Sequence, residues 1–457
     1  MTKSDFCRQM LQKAKPAKRN KRMKQRVMQR AGTVFIIFIF FFISLRVHAQ
    51  ESTVTSPFTT GDFRRQFYDG LMKWSIWNNL SYPLTDADNA YDFSSSFWPM
   101  ELILYRSDSA KQRIAYAFSR IEEQDTGFQR GLLELVYTLY PDDFRSQVTA
   151  LMQRASTPKI LAMCAEYLWQ NGRYPQVLPT VEKLMRQRFD TLQNDPVLLM
   201  MKERMFRETP IPPMPPLSDL LSEQFAPGLT VLYSFQRSNR DVPGLVLVRQ
   251  PDGHFVRDSN NKIIAVPQLA RAINNLPFYL TNGNTPQGIY RMSGFGVSSS
   301  RFIGPTQNIQ LSMPYEIPVD SFVVSYAGAD SIWRIEDYKN LLPSSWQSYT
   351  PIYHAYYAGE AGRTAIIAHG TTIDPEYYKG QPYYPQTPSL GCLCALETWS
   401  PVNGMRLSSN QQHLVDAVKT AGLNIGYAVV IELNEKEGPI QMPEILSAIR
   451  EAESRLQ

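Results

Sequence analysis

Two short segments of this chain carry side chains able to break and remake an acyl bond. The run Ile366-Ile367-Ala368-His369-Gly370-Thr371 reads as a strand that ends in a His-Gly pair, and Ser389-Leu390-Gly391-Cys392-Leu393-Cys394 places Cys392 23 residues after His369. A thiol is a poor nucleophile until it ionises, and a neighbouring imidazole or aligned backbone N–H groups supply thiolate near neutral pH. The gap between His369 and Cys392 permits the chain to return to the same end of a sheet, as pairing the two requires. Gly391 allows close backbone approach, so amides around Cys392 can form an oxyanion hole. Ser389 can orient either the imidazole or the loop, through its hydroxyl or its carbonyl. On their own these residues allow either thiol-based acyl transfer, with Cys392 paired to His369, or two structural side chains in one domain.

Other chemistries find little support. Outside the leader the histidines are His254, His354, His369 and His413, and no H-E-x-x-H or C-x-x-C spacing occurs, which argues against a metal centre. Asp86, Asp88 and Asn89 imitate a calcium loop, but Tyr91 and Phe97 stand at its glycine and glutamate positions. No glycine-rich phosphate loop is present. Beyond Cys7 the cysteines are Cys164, Cys392 and Cys394, an odd set with two members one residue apart, so no disulfide framework is expected. Cys164, among Leu161, Met163, Tyr167 and Leu168, reads as core.

The elements that must position the pair change character along the chain. From Asp62 to Arg207 apolar residues recur at helical spacing, with helix starts near Ser109, Thr126, Asp142, Pro158, Pro175 and Asp195. Pairs of such helices recur about every 33 residues, the length class of helical hairpins, so a short solenoid and an irregular bundle both fit. Five prolines between Pro210 and Pro216 then impose an extended spacer. Beyond it the period becomes that of strands: Gly244 to Arg249 and His254 to Arg257 as a hairpin, then Gly288 to Met292, Ser321 to Tyr326, Pro351 to Tyr357, Thr364 to Ala368 and Gly426 to Leu433. Helices are expected over Pro267 to Asn274, over Asn410 to Ala421 with Ser408 as cap and Gly422 as stop, and over Glu444 to Leu456. Between the two motifs, Tyr377, Tyr378, Tyr383 and Tyr384 alternate with prolines in a segment that reads either as a lid or as a self-packed surface loop.

With 457 residues, 43% of them hydrophobic and 19% charged, the chain has apolar material for more than one packed domain. Its net charge of +5 comes from a basic leader. From Gln50 onward 35 Lys and Arg face 41 Asp and Glu, a balance that offers no basic face and makes nucleic acid a poor partner. After the leader, Val34 to Leu45 forms a twelve-residue core that is apolar except for Ser44, the length of a signal peptide rather than a spanning helix. Val47-His48-Ala49 offers a cleavage site, with an uncleaved anchor as the alternative. Either way, export to the periplasm or cell envelope is expected.

Taken together, the His-Gly pair at a strand end, the S-x-G-C spelling of Ser389 to Cys392, and the upstream turn Thr285-Pro286-Gln287-Gly288 leading into Ile289-Tyr290 resemble the L,D-transpeptidase family with its YkuD-type catalytic domain. The resemblance spans roughly residues 278 to 433 and leaves the helical half untouched. It implies that residues 226–435 form a β-rich α+β catalytic domain, with Ser389, Gly391 and Gly370 shaping its loop; together with the patterns above this gives a multidomain fold, with residues 1–49 a signal peptide, 50–207 an all-α helical domain, 208–225 a proline-rich linker and 436–457 a C-terminal helix. It also implies a peptidoglycan L,D-transpeptidase that uses no cofactor. Cys392 would attack a stem tetrapeptide, expel the terminal D-amino acid, hold a thioester and pass the acyl group to an amine, with His369 as base. The helical half would then position the enzyme on glycan or on an envelope protein. Leu390 and Cys394 depart from the family, which commonly has a basic residue at the first position and a polar one at the second; Arg363 or Arg291 is the expected substitute cation. An L,D-carboxypeptidase and a catalytically silent wall-binding scaffold are the alternatives.

Overall fold

The computed structural model describes residues 54–456 apart from 193, 209, 423–425 and 434–435, so the expected signal peptide lies outside the described residues. Among the described residues no helix is long and apolar enough to cross a membrane.

The first half is helical because its caps and apolar stripes agree. Helices Asp108–Ser119, Thr126–Leu139, Pro158–Trp169 and Pro196–Met205 begin on Ser107, Asp125, Thr157 and Asp195, whose side chains accept N–H bonds from the first turn. Pro158 and Pro196 occupy first-turn positions, where the missing N–H costs nothing. Arg145–Gln153 and Leu178–Arg188 complete the series. Ahead of it, Gly61–Gly70 runs into the π-helical stretch Leu71–Asn78.

Residues 210–216 form neither helix nor strand, and the spacer stops there. Leu217–Leu221 turns into a helix that buries Leu220 and Leu221 against Ile445 and Ile449 of the C-terminal helix Pro443–Glu453. Residues 217–225 therefore pack with the sheet half instead of linking to it.

That half is built on one eight-stranded sheet among the described residues. Its strands are β1 (Val231–Gln236), β2 (Gly244–Arg249), β3 (Ala265–Gln268), β4 (Gly288–Gly296), β5 (Asn308–Ser312), β6 (Ile367–His369), β7 (Leu393–Cys394) and, after the ribbon β8 (Glu397–Trp399) and β9 (Arg406–Ser409), β10 (Tyr427–Glu432). The order is β3-β2-β1-β10-β4-β5-β6-β7, with parallel pairing at β1/β10 and β6/β7. One face packs on an aromatic core with Trp346, Phe322 and Ile445; the other packs on Leu414 and Val415 of helix Asn410–Thr420. A helical first half and a large, mostly β second half match the expected class.

Three local expectations fail. Pro267 to Asn274 is not a helix: Pro267 lies on the end strand β3, where its missing N–H is tolerated, and the chain continues extended beside β7. Pro351 to Tyr357 is helical, as the turn Thr350–Tyr353 followed by His354–Glu360. Its nearly continuous burial hides the helical period, and a short apolar run cannot be told from a strand by pattern alone. In Ser321 to Tyr326, Pro318 starts the turn Val319–Phe322, and Ser325, at φ 59°, breaks any extended run. A smaller correction shifts the cap of Asn410–Thr420 to Ser409, which accepts from Gln412 N.

Candidate active site

Strands β6 and β7 pair in parallel, with Ala368 beside Leu393 and His369 beside Cys394. Side chains alternate along a strand, so Ile367 and His369 share one face with Cys392 and Cys394. Ile367 and Cys392 do pack together, under Ile303. His369 and Cys392 are therefore diagonal neighbours on one face of adjacent strands. On its other side β7 is held by the extended segment after β3: Leu269 and Cys394 exchange both backbone hydrogen bonds at 2.8 Å, and Ile273 N donates to Ser389 O at 2.8 Å.

The turn before Cys392 is fixed from three directions. Gly391 sits at φ 106°, and a Cβ there would lie 2.4 Å from Arg363 Nη2 and 2.5 Å from Gly283 O, so only glycine fits. The Ser389 hydroxyl donates to Cys392 O at 2.9 Å and accepts from Gly391 N at 3.1 Å. Ser389 thus shapes the loop and not the imidazole, and the Gly391 amide is turned to Ser389 rather than toward an oxyanion. Thr285 Oγ1, from the upstream turn, donates to Gly391 O at 2.9 Å.

Behind that turn lies Arg363. Its guanidinium donates to the carbonyls of Asn284 at 2.7 Å and Gly283 at 2.8 Å, and also to that of Phe278. Burial pushes it down to about 10, while Tyr290 and Cys392 favour its charged form. Arg291, the other cation considered, is turned away over the Tyr427 ring at 5.4 Å.

His369 is held in one tautomer. Burial pushes it down to about 4, against the opposing pull of the Gly370 carbonyl, so the ring is neutral at neutral pH. Its Nδ1 lies 2.5 Å from Gly370 O. A carbonyl can only accept, so Nδ1 carries the proton and Nε2 keeps its lone pair. Nε2 is buried without a hydrogen-bond partner. The thiol is not yet on it: Cys392 Sγ donates to Ala365 O at 3.5 Å. Rotation about χ1 between staggered wells is the movement that turns the sulfur away from Ala365.

The remaining thiols are unbridged. Cys394, beside His369, lies 3.9 Å from Thr387 Oγ1, and burial pushes it up to about 12, which keeps it protonated. Burial raises Cys164 further still, in agreement with a core role. His354 stacks on Phe278 at 3.9 Å, with Nε2 3.7 Å from Glu203. In the tyrosine segment, Tyr378 and Tyr383 are buried against Leu269, whereas Tyr384 is exposed.

Cys392 and His369 are each 3% exposed, so the site is closed. The cover is the β4–β5 connection: Ile303 sits on Cys392, and next to it Phe302 enters the helical half, 5.3 Å from the Trp98 ring and 5.9 Å from Phe67. Leu390 packs on the same helical core. Neither cover residue stands out in the sequence. Glu397, whose carboxylate occupies the space beside Gly370, is also missed, although a lone acid soon after the run Leu393 to Leu396 is a signal that could have found it. Comparison with known protein families, curated proteins and solved structures finds no match to this chain.

Proposed function

We propose that this chain is an exported cysteine acyltransferase of the L,D-transpeptidase type, acting on peptidoglycan stem peptides. The observation that carries the reading is a neutral imidazole with its Nδ1 proton tied to Gly370 O and its Nε2 unpartnered, on the same sheet face as Cys392. The Cys392 proton passes to His369 Nε2, and sulfur attacks the carbonyl of the third stem residue. The peptide C–N bond breaks, His369 returns the proton to the departing D-amino acid, and a thioester remains. An amine from a neighbouring stem then attacks the thioester and regenerates the thiol. Splitting amide exchange into two acyl transfers needs no cofactor. The helical half, which clamps the cover over Cys392, gates entry, and a glycan or envelope partner is the proposed trigger.

The test is incubation of the purified protein with tetrapeptide muropeptides, alongside labelling by a carbapenem that acylates reactive thiols. Cross-linked dimers support transfer. Tripeptide monomers alone instead favour the water-resolved carboxypeptidase. A carbapenem adduct on the wild type that disappears in Cys392→Ala supports the thioester route. The closed site gives the scaffold alternative its one observation, and no adduct on the reduced wild type would favour that alternative.

A further inference from the structure

A carboxylate that touches neither sulfur nor imidazole lies behind the His369 turn. Glu397, in β8, has no exposed side-chain surface. Its Oε1 accepts from Thr306 Oγ1 at 2.5 Å and Ser409 Oγ at 2.6 Å, with Arg406 Nη1 3.9 Å away. Its Oε2 accepts from Thr371 N at 3.0 Å. Burial raises the carboxyl above its ordinary range, and these donors oppose that rise without cancelling it. Every contact named is a donor, as the ionised form requires.

The Thr371 amide belongs to the same peptide unit as the Gly370 carbonyl, and that carbonyl holds His369 Nδ1 at 2.5 Å. A peptide unit is conjugated and planar, so a negative charge on its N–H side draws density onto its oxygen and strengthens that oxygen as an acceptor. Gly370 is what lets the carboxylate reach the amide: a Cβ there would lie 2.1 Å from Glu397 Oε2. Thus a carboxylate, a peptide unit and an imidazole stand in line, with the lone pair of Nε2 at the far end.

We infer that Glu397 is a positioning residue that fixes the orientation and tautomer of His369 through the Gly370–Thr371 peptide. The role rests on the acyl-transfer reading above. The alternative is purely structural, since Glu397 also ties β8 to the start of helix Asn410–Thr420 through Ser409.

The variant Glu397→Gln keeps shape and removes charge, and carbapenem acylation is measured on the full chain together with the ¹H signal of His369 Nδ1–H. Expected are a roughly tenfold fall in the saturating acylation rate, an unchanged half-saturating concentration, and an upfield move of the Nδ1–H signal. A folded Gln variant with wild-type rate and wild-type resonance overturns the inference. Should that variant fail to fold, Glu397→Asp, which withdraws the charge by one methylene, is measured in the same way and judged by the same outcomes. If the wild type itself is not acylated, the acyl-transfer reading fails on its own, and the resonance comparison still decides whether Glu397 is coupled to His369.

Discussion

The two halves of the molecule bury carboxylates in opposite ways. Glu397 draws its donors from the sheet half, namely Thr306, Thr371 and Ser409. Glu134 and Glu166, deep in the helical half, look across the boundary instead. Asn274 Nδ2 donates to Glu134 at 2.7 Å and Asn282 Nδ2 at 3.1 Å, while Tyr279 OH donates to Glu166 at 2.7 Å beside Arg204 at 2.9 Å. A buried carboxylate without donors is costly, so these acids tolerate only the docking register that supplies them. The donors sit on the same loop whose carbonyls Arg363 gathers behind Gly391. The helical half is therefore a built-in wall of the site, and its attachment reaches the turn before Cys392.

Four measurements break or sharpen that contrast. Removing the Phe302 ring from its Trp98 and Phe67 contacts should cost roughly 3–5 kcal/mol in denaturant unfolding and speed modification of Cys392 by a thiol reagent. Slower or unchanged modification in a folded Phe302→Ala protein would remove its role as a latch. Glu134→Ala leaves the buried Asn274 amide without its carboxylate and should cost about 2–3 kcal/mol. A single unfolding transition is expected to persist; separate transitions for the two halves would undo the idea of mutual dependence. Tyr279→Phe deletes one hydrogen bond to a charged group and should cost roughly 1.5–3 kcal/mol, read as a drop in thermal midpoint.

The last measurement concerns pH. The ordinary value for His369 is 6.5, and burial holds the folded value at about 4. Its contribution to stability is complete above 6.5. As pH falls from there toward 4, the unfolded chain takes up a proton that the folded chain refuses, and stability declines. Because acylation needs the neutral ring, its acid limb should fall near pH 4. A midpoint at the ordinary histidine value would show that the ring is hydrated when the cover opens.

Much of this was legible beforehand because certain residues permit few alternatives. Capping residues with first-turn prolines placed the helices at Pro158 and Pro196, and the glycine before Cys392 announced a close backbone approach, which Arg363 and Gly283 make there, although its amide turns to Ser389. Illegible were segments whose burial is decided by distant partners. Leu269 to Ile273 extends only because β7 offers free backbone groups beside it, and His354–Glu360 coils although its burial hides the period. Glu397 and Phe302 escaped for the same reason, since their partners Thr371 and Trp98 are far away in sequence.

The double hydrogen bond between Leu269 and Cys394 has one more consequence. With β6 on one side and this segment on the other, the strand that follows the nucleophile presents no unpaired ladder. An extended chain therefore cannot add to the sheet at this strand, as ligands of open-edged domains do. On the proposed acyl-transfer reading the donor would come down onto the face once Ile303 lifts, and the configuration of its end would be read by side chains rather than by main-chain register.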